Sequence, residues 1–114
     1  MPGNQIANFA PPAIIVDGVT QVIDCSTTSY FVWTLGASRT ASTFLNAIGG
    51  QLIRMELVQD ATGSRVVTWP SNVSWPAGVA PTLSTAANAV DLVRFEWNPT
   101  AAKWRGVLLG LAFA

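Results

Sequence analysis

With no histidine in its 114 residues, the chain lacks the Ser-His-Asp and Cys-His arrangements and the usual general base near neutral pH. Most zinc and copper site designs go with it. Acid–base work would fall to six carboxylates: Asp17, Asp24, Glu56, Asp60, Asp91 and Glu96. Two of them flanking one bond, about 5–10 Å apart, would make a glycosidase pair. Asp17 and Asp60 fall in predicted turns, where bonding to the local backbone accounts for them. Glu56 and Glu96 alternate with Arg54 and Arg94 on outward strand faces, where cross-strand ion pairing accounts for them. The glycines form no phosphate-cradling loop. The chain is therefore read as non-enzymatic, with no catalytic residue, no metal ligand and no cofactor.

Five tryptophans are the other chemistry-bearing set. Trp33, Trp97 and Trp104 fall in strands beside apolar residues of the same face, and core packing explains them. Trp69 and Trp75 flank a Pro-rich loop. They are the candidate partner-binding loop, since exposed tryptophans anchor protein interfaces and their flat faces also stack on sugars. Cys25 is the single cysteine, so no intrachain disulfide forms. It reads as a small buried hydrophobe between Asp24 and Ser26.

Half of the residues are hydrophobic and only 11% are charged, against about 25% in an ordinary globular domain. So few charges suit a surface partly covered by copies of the chain or by a partner. Six basic residues balance six acidic ones and are scattered. No basic stripe points to nucleic acid or to a membrane surface. No window holds the roughly 18 apolar residues that span a bilayer, and no signal peptide is present.

Short strands and turns position these residues. Ala13 to Val16 stops at Asp17-Gly18, a two-residue hairpin signal leading into Val19 to Asp24. Tyr30 to Leu35 alternates, with Phe31, Trp33 and Leu35 on one face. Thr40 to Leu45 is a weak strand. Leu52 to Val58 places Ile53, Met55 and Leu57 together. Gln59 to Pro70 reads as a strand end, a tight polar turn with Gly63 at positive φ, and a second strand from Arg65 to Trp69. Residues 70 to 88 are loop. Asp91 to Trp97 and Lys103 to Phe113 form a hairpin around Asn98 to Ala102. The last strand is apolar on both faces, which suits burial on both sides within a sandwich or at a subunit interface. The expected fold is all-β: a single-domain antiparallel β-sandwich or jelly roll over residues 13–114, preceded by an extended arm at residues 1–12. In the arm, Ile6 and Phe9 suit docking on a neighbouring subunit, with a frayed terminus as the alternative. Leu109, Leu111 and Phe113 of the last strand are the candidate oligomer or capsid interface.

Roughly half of the chain, Gly50 to Val107, carries a family resemblance. The string runs Gly50-Gln51, then Leu57-Val58-Gln59-Asp60-Ala61-Thr62-Gly63-Ser64-Arg65 and Thr68-Trp69-Pro70. It continues with Trp75, Pro81-Thr82-Leu83, Ala87-Asn88-Ala89-Val90-Asp91, Phe95, Trp97 and Trp104-Arg105-Gly106-Val107. This resembles a module of tailed-bacteriophage virion proteins, seen in capsid-associated proteins and in parts of tail fibres. The resemblance implies a small β-sandwich that assembles on or within a virus particle, made in the host bacterial cytoplasm. It implies no catalytic residue. Tail-fibre versions usually sit in long chains with trimeric stalks, and no stalk, repeat or coiled coil is visible here. The expectation is therefore a capsid decoration (cement) protein on the capsid exterior. It would form a trimer or dimer and bind the major capsid protein across subunit junctions. The alternative is a tail-fibre or head-fibre module that binds a host receptor or glycan.

Overall fold

In the computed structural model, residues 12–26 and 28–113 are described. Alternating apolar residues build nine strands among them: β1 (Ala13–Ile14), β2 (Thr20–Asp24), β3 (Tyr30–Leu35), β4 (Arg39–Leu45), β5 (Leu52–Gln59), β6 (Val67–Thr68), β7 (Val73–Ser74), β8 (Val90–Asn98) and β9 (Lys103–Phe113). A single 3-10 turn, Pro76–Gly78, is the helical element described. Most of the arm expected at residues 1–12, with Ile6 and Phe9, lies outside the described residues.

The all-β class holds, but the antiparallel arrangement does not. One sheet has the order β1-β3-β5-β8-β9-β7 and the other β2-β4-β6. Up to β6 the chain crosses to the opposite sheet after every strand. Each circuit thus returns in the direction of the one before, and β1–β3, β3–β5, β2–β4 and β4–β6 all pair in parallel. Only β5–β8 and β8–β9 are antiparallel. Two turns read as hairpins are therefore sheet-crossing turns. Asp17-Gly18 separates β1 from β2, which never pair, and residues 60–66 carry the chain from β5 into β6 of the other sheet. The hairpin over residues 98–103 forms as expected, with Asn98 opposite Lys103.

The core fills the space between the sheets. Phe31, Trp33 and Leu35 of β3, Ile53, Met55 and Leu57 of β5, and Val93 and Phe95 of β8 supply one side. Ile23, Ala41 and Phe44 come from the other sheet. Ala41 and Phe44 both point inward only because the register against β2 slips by one residue between them, as a bulge does. Phe44 then meets Phe95 edge-on at a ring distance of 5.1 Å and Trp104 at 5.5 Å. Trp33 and Trp104 are fully buried; Trp97 is half-buried against Trp104 at 5.3 Å. These are the core roles expected of them. Each such large apolar side chain contributes on the order of 1.5–3 kcal/mol.

Two buried polar side chains fasten the loop before β8. The Gln59 amide donates to the carbonyls of Arg65 and Ser84 and accepts from the Arg65 N–H, all at 2.9 Å. Asp91 accepts from the N–H groups of Ser84 and Ala112. Gly63, at φ 78°, lies so close to this loop that a Cβ there would come within 2.4 Å of the Thr85 carbonyl.

Candidate functional site

Five of the six carboxylates are engaged in holding the fold. Asp17 accepts from the Trp33 indole, the Gly36 N–H and both Nε and Nη2 of Arg39. Burial pushes its carboxyl up, but these bonds from Arg39, Trp33 and Gly36 outweigh it and leave the group below its ordinary value. Asp60 binds Arg65 and the N–H groups of Thr62 and Gly63. The Arg65 bond, then the Gly63 N–H, hold it at about 2. Asp24 accepts from Ser26 and Asn46, Asp91 is buried as described, and Glu56 accepts from the Tyr30 hydroxyl. That bond follows burial among the causes that push Tyr30 up to about 12. Cys25 is 2% exposed. Burial, and then the charge of Asp24, push its thiol up to about 12, so it is an inert packing group.

Ion pairing of Glu56 and Glu96 with Arg54 and Arg94 does not occur. The register sets Arg54 opposite Arg94, Glu56 opposite Leu92 and Leu52 opposite Glu96. The ion pairs among the described residues are Arg39–Asp17 and Arg65–Asp60. Alternation shows which face a residue takes, but pairing depends on register. Arg54 instead lies 5.3 Å from the centre of the Tyr30 ring.

Trp69 and Trp75 are brought together, yet they face inward. Their rings are 5.6 Å apart and lie 5.3 and 5.7 Å from Phe95. Trp75 covers Gly106, where a Cβ would come within 2.5 Å of its ring. Both remain only half-buried. Together with Phe44, Trp104 and Trp97 they complete a run of six contacting rings around Phe95.

The end of β9 is one of the exposed apolar stretches. Leu109, Leu111 and Phe113 are 44%, 49% and 50% exposed, so this strand is not buried on both sides within its own fold. Two register shifts against β8 re-aim it, and the Phe113 ring folds over Gly110. Beside it lies a hollow of about 380 Å³ lined by Tyr30, Glu56, Val90, Leu92 and Phe113. At the opposite end of β8, around the 98–102 turn, a second hollow of about 400 Å³ is lined by Gly50, Glu96, Trp97, Asn98, Pro99 and Arg105. The sequence reading missed this second hollow. Its signal would have been a Glu-Trp-Asn-Pro run next to a hairpin, with an arginine on the returning strand. Among the described residues no group of three or more His, Cys, Asp and Glu side chains is placed to hold a metal, and no helix is long and apolar enough to cross a membrane.

A family model described as putative phage tail fibre C-terminal domain matches residues 17–100. No curated protein and no solved structure gives a match.

Proposed function

The chain belongs to the phage tail fibre C-terminal domain family, and we propose that it serves as a distal tail-fibre module through which the particle contacts its host. It is a bacteriophage virion structural protein; the placement on a fibre, the contact with the host and the absence of catalysis are our reading. The match over residues 17–100 carries the proposal, and it favours a fibre position over the capsid exterior that the missing stalk suggested. Binding rather than catalysis is supported by the carboxylates. Asp17, Asp24, Glu56, Asp60 and Asp91 already hold backbone or side-chain partners that account for them as parts of the fold. Self-association through Leu109, Leu111 and Phe113 belongs to the same reading, because three large apolar side chains lie exposed on one strand end.

The test is adsorption. Purified chain added in excess is expected to slow attachment of the phage to host cells, and a tag on the chain should place electron density at fibre tips. Density at capsid subunit junctions, with adsorption unaffected, would return the chain to the capsid exterior.

A further inference from the structure

The first six strands wind as three stacked circuits, β1–β2, β3–β4 and β5–β6, each passing once through both sheets. One end of the stack is closed: β8 pairs with β5, and Trp69, next after β6, packs on Phe95. At the other end β1 and β2 are both edge strands. The Val19 carbonyl and the Cys25 N–H bond to β4, and the Ile15 N–H bonds to β3. Successive peptide groups of a strand point to opposite sides, so the N–H and C=O groups of Thr20, Val22 and Ile14 point out of the sheets at this end. The three most exposed large apolar side chains among the described residues, Val16, Val19 and Ile14 at 84%, 76% and 70%, belong to this same circuit. β2 carries no lysine or proline to blunt its edge, and its one charge, Asp24, is bonded to Ser26 and Asn46. An uncovered end of this kind is a place for a further strand.

We propose that residues 3–7 of the same chain, which lie outside the described residues, cover this end by pairing with β2 in parallel and so cap the stack. The chain length fits. Five residues lead from β2 to β3 and six from β4 to β5; residues 8–12, again five, lead from this segment to Ala13 of β1. The apolar positions fit as well. Ile23 and Phe44 stand side by side in register and are buried in the core. Ile23 is seven residues before the start of β3 and Phe44 eight before the start of β5. Ile6 is seven before the start of β1, and it takes the next place in that ladder, beside Ile23. Each link also packs an apolar residue against the core, Cys25 five residues before β3 and Ala47 five before β5; Phe9 is four before β1. Residues 3–7 contain no proline, as pairing on both sides of a backbone requires. Asn4 and Gln5 supply the polar outer surface that an end repeat needs. The arm that the sequence suggested for a neighbouring subunit is thereby assigned to its own fold.

Amide hydrogen exchange and nuclear magnetic resonance on the full chain test this. The Thr20 and Val22 amides face no strand among the described residues. They are expected to exchange about 100-fold or more slowly than in an unstructured chain, and nuclear Overhauser effects should join the methyl groups of Ile6 to those of Ile23. In I6D the two amides should lose about tenfold or more of that protection, while Met55 and Leu57 on β5, between two neighbouring strands, keep theirs and report an intact fold. Free-chain exchange at Thr20 and Val22 overturns the proposal, and so does unchanged protection of both in I6D. Protection with no Ile6–Ile23 effect shows that something else pairs with β2, and overturns it as well. Should I6D fail to fold, the exchange and Overhauser measurements on the unmodified chain decide alone. A sample mixing carbon-13-labelled and unlabelled chains fixes the source of the strand: Ile6–Ile23 effects found only between chains overturn the assignment to the same chain.

Discussion

Replacing Gly106 by alanine decides whether Trp75 is a core ring or a free anchor. Gly106 lies on β9 opposite Phe95, and a Cβ there would lie 2.5 Å from Cζ3 of Trp75 and 2.8 Å from Cε3 and Cη2. Contacts that short force the ring to move. Its escape is limited by Trp69 at 5.6 Å and Phe95 at 5.7 Å. Overpacking of this kind costs about 1–3 kcal/mol, and removing a glycine from a strand returns about 0.5–1 kcal/mol. The net expectation for G106A is a loss of about 1.5 kcal/mol, or a fall of roughly 6 °C in Tm for a chain of this size. Thermal and urea unfolding followed by far-ultraviolet circular dichroism read this without depending on tryptophan emission. In a W75A background the obstruction is gone, and G106A should become neutral or stabilise by about 0.5–1 kcal/mol. The coupling between the two positions is then about 2 kcal/mol. An unchanged or raised Tm for G106A in the presence of Trp75 would refute the packing. It would return Trp75 to the role of a surface anchor for a partner.

The end of β9 is tested by L111D. The unmodified chain is expected to sediment as an oligomer and L111D as a folded monomer, and an oligomer that survives the substitution would rule this contact out. Removing the buried amide in Q59A leaves the Arg65 N–H and the carbonyls of Arg65 and Ser84 without partners, at a cost of about 2–4 kcal/mol in urea unfolding; a loss below about 1 kcal/mol would show that water replaces them. Asp60 ionises at about 2 in the native chain against an ordinary 3.8. Because the native value is the lower one, its contribution to stability is present above pH 3.8 and is lost as pH falls toward 2. Urea midpoints measured across that interval should fall less steeply in D60N than in the unmodified chain, and identical slopes would contradict the Arg65 pairing.

Much of the local structure was legible in the chain. Phe31, Trp33 and Leu35 alternate with polar or smaller residues and lie on the buried face of β3. Ile53, Met55 and Leu57 do the same on β5, because a period of two reports the pleat directly. The 98–102 turn was also legible, since Asn98 caps it locally by binding the N–H groups of Thr100 and Ala101. Gly63 was rightly expected at positive φ, and Asp60 does bond back to its own turn. The second hollow was not legible. Arg105, which lines it, bonds to Ser74, a residue far away in the chain.

The sequence by itself determined where the longer strands lie, which of their faces are apolar and where the chain must turn, because those properties depend on a residue and its near neighbours; β7 (Val73–Ser74), which pairs with β9, falls in a stretch read as loop. Apart from the β8–β9 hairpin, only the tertiary structure decided which strands pair. The same Asp17-Gly18 turn serves a hairpin or a crossing between sheets, and the difference lies in the Asp17 carboxylate reaching Trp33, Gly36 and Arg39. The same Gln59–Ser64 turn closes no hairpin, because Val67 and Thr68 pair with Arg39 and Thr40 of the opposite sheet. Turn chemistry specifies a change of direction. The choice of partner strand follows from how all the apolar faces can be covered at once, and that depends on contacts between residues remote in the chain.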